Sequence, residues 1–116
     1  MNKDDKITIL GVTGYTGAWL AKTLSDAGYT NITGTYRDAQ KMATLTKLLP
    51  NIHGVQADLL ASPDQVAIAL TDAQWVFNNS APFTGQERTT ADFVRTKVTA
   101  IDNLFNGLAR AQTAQN

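Results

Sequence analysis

Cysteine is absent from this 116-residue chain, and histidine occurs once, as His53. These two gaps exclude disulfide scaffolds, thiol nucleophiles, cysteine-based zinc sites and any multi-histidine metal centre. Neither sign of charge is in excess: ten Lys and Arg balance ten Asp and Glu. A neutral chain has no field with which to hold a phosphate polymer, so no nucleic-acid partner is expected. Long apolar runs are missing too. The N-terminal segment Met1-Asn2-Lys3-Asp4-Asp5-Lys6 is too charged for a secretory signal. The apolar run from Ile7 to Val12 is too short for a signal core or a membrane span. The expectation is a cytoplasmic protein with no membrane partner.

What remains is ordinary core-forming material. Apolar residues make up 43% of the chain and charged residues 17%, with no linker, repeat or low-complexity stretch. One domain over residues 1–116 is expected. Its pattern alternates. Ile7 to Val12 is short, β-branched and apolar, and runs into glycine, as a buried strand does. Thr16 to Ala27 carries Leu20, Ala21, Leu24 and Ala27 on one side, with Gly28 beyond the end, and predicts a helix. Asn31 to Tyr36 predicts a second strand. Asp38 can cap a helix with the stripe Met42, Leu45 and Leu49, stopped by Pro50. Ile52 to Ala57 is a third strand. Ser62-Pro63-Asp64-Gln65 reads as cap, first helical proline and capping-box glutamine. The stripe of that helix is Val66, Ala69, Leu70 and Ala73. Trp75 to Asn79 is a fourth strand. Thr90 to Ala111, with Val94, Val98, Ile101, Phe105 and Leu108, predicts one long amphipathic helix. Four strand–helix units in succession imply a Rossmann-like α/β fold, a doubly wound parallel sheet in the order 3-2-1-4 with flanking helices, stopping before a fifth strand.

The sharpest motif lies between the first strand and the first helix: Gly11-Val12-Thr13-Gly14-Tyr15-Thr16-Gly17. That context is the one a dinucleotide fingerprint requires. Gly14 is expected to let the backbone turn and approach a pyrophosphate, and Gly17 to let the helix lie close to the strand. The first-turn N–H groups and the positive end of the helix then face the anion. A nucleotide P-loop is excluded, because no Gly-Lys-Ser or Gly-Lys-Thr follows.

Thr13-Gly14-Tyr15-Thr16-Gly17 resembles the opening of the short-chain dehydrogenase/reductase superfamily, in its extended or atypical branch. Leu20 stands where the typical extended pattern has a third glycine, so the spacing Gly11, Gly14, Gly17 is that of atypical members. Further matches follow in order: Thr35-Tyr36-Arg37-Asp38, Ala57-Asp58-Leu59, Asn79-Ser80-Ala81-Pro82-Phe83 and Val98 to Phe105. They cover nearly the whole chain and are closest in flavour to the dihydroflavonol-reductase and 3β-hydroxysteroid-dehydrogenase-like group. NmrA-like domains and saccharopine-dehydrogenase-like N-terminal domains share Gly14-Tyr15-Thr16-Gly17. The resemblance implies the NAD(P)-binding N-terminal half of a larger fold.

About twenty positions beyond the glycines, a dinucleotide fold places the residue that meets the adenosine ribose. Here that position is Arg37, which can fork onto a 2′-phosphate, so NADP is favoured over NAD. Neighbouring Asp38 is read as a helix cap. The resemblance puts Asp58 at the adenine amino group and Leu59 on the ring. Asn79, Ser80, Ala81 and Pro82 leave the fourth strand where ligands bind in such sheets. The expected cofactor site is therefore Gly11, Thr13, Gly14, Tyr15, Thr16, Gly17, Arg37, Asp58, Leu59 and Asn79 to Pro82.

The chemistry of the resembling family needs a Tyr with a Lys four residues later. Four residues after Tyr15, Tyr29 and Tyr36 stand Trp19, Thr33 and Gln40, so no such pair exists, and no catalytic residue is assigned. The family's helix asparagine falls at Lys97. His53 is read as structural or exposed, and Trp19, Trp75, Phe77 and Phe105 as core. The chain is expected to bind a dinucleotide without turnover, as half of an NADP-dependent reductase or as a free-standing sensor module. The open edge of the fourth strand and the stripe of the last helix offer surfaces for self-association.

Overall fold

The structure, a computed structural model, describes residues 1–82 and 84–115; Phe83 of the Ala-Pro-Phe signature lies outside the described residues. Four strands alternate with four helices: β1 (Ile7–Leu10), α1 (Tyr15–Asp26), β2 (Ile32–Tyr36), α2 (Ala39–Leu48), β3 (His53–Gln56), α3 (Asp64–Leu70), β4 (Trp75–Asn78) and α4 (Thr90–Gln115). The sheet order is β3-β2-β1-β4, all parallel, as the alternation predicts. Ile7 pairs with Ile32 on one side and with Trp75 on the other.

Strand β1 is wholly buried, and its alternating side chains feed two cores. Ile7 and Ile9 join Val12, Ala21, Leu24, Met42 and Leu45 beneath α1 and α2. Leu10 joins Leu59, Val66, Leu70 and Ala100 beneath α3 and α4. Thr8 also faces the second layer. Its Oγ1 donates to the Ala69 carbonyl at 2.7 Å, so the fully buried hydroxyl has a partner. The result is three layers, helix–sheet–helix, with β1 at the centre.

Asp38 caps α2 as the sequence predicts, its Oδ1 accepting from the backbone N–H of Gln40 at 2.9 Å and Lys41 at 3.3 Å. Gly28 follows the C-cap of α1 at φ +95°. Two local expectations fail. Helix α3 starts one residue later, with Pro63 at the cap, and Ser62 Oγ accepts from Asp64 N at 3.1 Å in a tight hydroxyl turn instead of a capping box. Ala73 lies beyond α3, because the chain turns back at Asp72 with φ +61°.

The expected burial of the large aromatics is corrected as well. Trp19 is 54% exposed, Trp75 43% and Phe105 63%; Phe77 alone among them packs on the core, half-buried. For Phe105 the reason lies in how α4 packs. Its inner face combines Leu104 and Leu108 with the small residues Thr96, Ala100, Gly107 and Ala111, and the small ones bring it close to α3. Of the predicted stripe, Leu108 packs on the core, whereas Val94, Val98, Ile101 and Phe105 point outward. Strand β4 is an edge strand, which uncovers Trp75 and Val76 in the same way. His53 is exposed. No helix among the described residues is long and apolar enough to cross a membrane.

Candidate functional site

The loop after β1 is shaped by contacts with its neighbours. Gly11 N donates to Thr35 Oγ1 at 3.0 Å, and Val12 N to the Thr35 carbonyl at 2.9 Å, so β2 holds the loop from one side. Strand β4 holds it from the other, Asn79 N donating to the Leu10 carbonyl at 2.9 Å. Gly11 sits at φ +76°, and a Cβ there would stand 3.0 Å from the Asn79 oxygen and from Ser80 N and Cα. The left-handed turn is thus made at Gly11.

Gly14, expected to make that turn, has φ −71° and ψ 165°, an extended conformation open to any residue. A Cβ on Gly14 would meet only the Gly11 oxygen, at an ordinary 3.5 Å. Nothing within the fold requires glycine there. Gly17 is different: a Cβ would overlap the Gly11 oxygen and come within 2.9 Å of Val12 Cα. It is the close-approach residue between α1 and β1, as its spacing suggests. Helix α1 begins at Tyr15, so the N–H groups of its first turn have no carbonyl one turn earlier in the helix to bond.

In front of this helix end, at the carboxyl ends of the strands, lies a cleft of about 1090 Å³. Gly11, Thr13 and Gly14 form its floor, and Arg37 one end. Asp58 and Leu59 form a wall, and Asn79, Ser80, Ala81 and Pro82 close the opposite side. Four strand ends separated in sequence thus converge on one space. Three expected residues stand outside it: Tyr15 and Thr16 point into solvent from the first turn, and Gly17 is buried behind the loop. Tyr15, 83% exposed, meets the Trp19 ring edge-on at 6.5 Å between centroids.

Charge is concentrated at the Arg37 end. Arg37 Nε lies 3.9 Å from Asp58 Oδ1, both side chains about half exposed, so the pair is loose and solvent-screened. The sequence reading missed Lys41, which lines the cleft from the first turn of α2 and gives the lining a second cation besides Arg37. Its only signal is its place three residues after the cap Asp38. Asp38 also lines the cleft, but its carboxylate is engaged by two backbone N–H groups. Ser62 and Gln65, also missed, bring polar atoms to the wall near Asp58. No group of three or more potential metal-ligating side chains occurs among the described residues.

Past Pro82 the chain folds over a carboxylate. Thr84 donates to Glu87 through both Oγ1 and its backbone N, each at 2.6 Å, and Thr96 Oγ1 adds a longer bond at 3.4 Å. The Thr84 hydroxyl and then its N–H hold the Glu87 carboxyl down at about 2. A depressed acid stabilises the fold above its unfolded value near 4.5 and loses that contribution as pH falls toward 2. Melting curves recorded over that window are expected to fall less for Glu87→Gln than for the unsubstituted chain.

Residues 7–115 match the NAD dependent epimerase/dehydratase family. No curated protein sequence gives a match. Among solved structures, Pen from Bacillus thuringiensis superimposes with a TM-score of 0.72 at 19% identity, over 99% of this chain and 36% of that one. Yeast methylglyoxal/isovaleraldehyde reductase Gre2, complexed with NADPH, gives 0.72 at 14% identity, over 89% and 32%. A doubly substituted NmrA gives 0.70 at 20%, over 97% and 31%. The chain therefore spans about a third of the length of these structures. The strand order, the glycine loop and the family match over nearly every residue agree: this chain belongs to the NAD dependent epimerase/dehydratase family, within the short-chain dehydrogenase/reductase superfamily that its sequence resembles.

Proposed function

We propose that this chain is the NAD(P)-binding portion of an NADP-preferring oxidoreductase. One observation carries the reading: the cleft has an uncovered glycine and a helix N-terminus on its floor, and two cations in its lining. A diphosphate laid across Gly14 meets the free N–H groups of α1. The adenine lies against Asp58 and Leu59, and the 2′-phosphate falls to Arg37 and Lys41. The nicotinamide half extends past Asn79 to Pro82. When bound, the dinucleotide supplies hydride chemistry; the residues named here hold and orient it.

The sequence contains no Tyr-x-x-x-Lys pair. The purified 116 residues are therefore expected to bind without turnover, and a sensor role without catalysis is the second reading. Self-association through the open β4 edge and the outer face of α4 belongs to the same proposal, supported by the exposure of Trp75, Val76, Val98 and Phe105. So does a cytoplasmic location, supported by a charge-balanced chain without cysteine.

Calorimetric titration with NADPH and NADH tests the binding claim. NADPH is expected to bind more tightly. Arg37→Glu should weaken NADPH by about a hundredfold and NADH by no more than about threefold, the loss expected when a charge-assisted fork becomes a repulsion. Equal losses for both would remove the 2′-phosphate assignment. No binding of either would remove the dinucleotide reading.

A further inference from the structure

The wall that faces the adenine end of the cleft is a short loop, residues 57–63, between β3 and α3. It is braced from within: Asp58 Oδ1 accepts from Leu60 N at 2.9 Å, and the Asp58 carbonyl from Ala61 N at 3.0 Å. From behind it is held by α4. Asn103 Nδ2 donates to the Leu59 carbonyl at 2.6 Å, a partly buried bond that spans 44 residues. One turn later Gly107 lets α4 close on the start of α3, where a Cβ would stand 3.1 Å from the Pro63 oxygen. Arg110 then pairs with Asp64 at the surface.

Asparagine in a helix interior is a poor helix former, and its amide competes with the backbone for hydrogen bonds. Here the amide is turned away from its own helix and spent on Leu59. The Arg110–Asp64 pair lies in solvent, with both side chains more than half exposed, and steers little. The Leu59 side chain is buried in the core beneath α3, so its backbone is the part that sets the wall.

We propose that Asn103 is a positioning residue of the adenine pocket: its amide fixes the Leu59 carbonyl, and through it the Asp58–Leu59 wall against which the base lies. This rests on the dinucleotide reading above. Asn103 does not line the cleft, and it acts only through the loop. Removing the donor leaves a shielded carbonyl without its partner and lets the wall relax, which loosens the adenine site and leaves the glycine loop unchanged.

The experiment titrates 5′-AMP and inorganic pyrophosphate separately into the unsubstituted chain, Asn103→Ala and Asn103→Asp. Asn103→Ala is expected to weaken 5′-AMP about five- to tenfold, leave pyrophosphate unchanged and preserve the NADPH to NADH ratio. Asn103→Asp places a carboxylate against a carbonyl oxygen, so it is expected to be weaker still at pH 7. It should recover toward the unsubstituted chain at about pH 5, where the introduced carboxyl takes up a proton and donates to Leu59. An unchanged 5′-AMP affinity in folded Asn103→Ala overturns the proposal. So does an equal loss of pyrophosphate, which would mean a general weakening of the scaffold. If Asn103→Asp fails to fold at neutral pH, the Asn103→Ala comparison decides alone. Failure of the unsubstituted chain to bind 5′-AMP would instead strike the dinucleotide reading itself.

Discussion

Replacing Gly17 with alanine is expected to lower the melting temperature by roughly 12 °C, and in a marginally stable preparation to prevent folding. The added methyl has no room. It would overlap the carbonyl oxygen of Gly11 and crowd Val12 Cα at 2.9 Å, and both obstacles are main chain. Neither can rotate away as a flexible side chain would. The Gly11 carbonyl belongs to a loop fixed on both sides, by Thr35 and by the β4 exit. Val12 is fully buried and packs against Gly34. Relief must come from lifting α1 off the sheet, which opens the core formed by Ala21 and Leu24 over Ile7 and Ile9. Overpacking of this kind costs about 3 kcal/mol, and a domain of this size loses about 4 °C per kcal/mol. Thermal denaturation followed by circular dichroism measures it. A shift of less than about 3 °C would mean that α1 does not lie where the structure places it.

The contrast between Gly17 and Gly14 shows what could be read from the sequence and what could not. Strand and helix alternation was legible because a buried parallel strand must be an apolar β-branched run, and Ile7 to Leu10 has little else to be. The order 3-2-1-4 follows from right-handed crossovers and is found. The cleft was legible because four strand ends, each bearing polar or small residues, face one edge. The division of labour among the glycines was not. Spacing alone assigned the tight turn to Gly14, whereas the backbone turns at Gly11. A run of three glycines does not reveal which one carries the positive φ. Lys41 was missed because a lysine in the first exposed turn of a helix resembles any other surface charge. Phe105 was misread for a geometric reason. Periodicity along α4 finds the apolar stripe, but Ala100, Gly107 and Ala111 permit the closest approach, and the helix turns that face inward. Phe105 is left in solvent as a result.

Gly14→Ala is expected to do the reverse of Gly17→Ala, sparing the fold and removing the ligand. Its backbone is extended at φ −71°, and an added Cβ would make only an ordinary contact with the Gly11 oxygen. The melting temperature should move by no more than about 5 °C, since alanine is worse than glycine at an N-cap by about 1 kcal/mol. The methyl would instead occupy the floor of the cleft, in front of the unbonded N–H groups of α1. A diphosphate must then stand off from those donors. Each charge-assisted bond lost costs about 1.5–3 kcal/mol, so NADPH and NADH are both expected to weaken about ten- to a hundredfold. The joint loss distinguishes this variant from Arg37→Glu, which acts on the 2′-phosphate alone. Inorganic pyrophosphate should follow the dinucleotides, because it shares only the diphosphate with them. Gly14→Ala folding normally and keeping full affinity for all three ligands would show that the helix end does not hold the anion. The cleft would then need another chemistry to explain why its floor carries a glycine that the fold does not require.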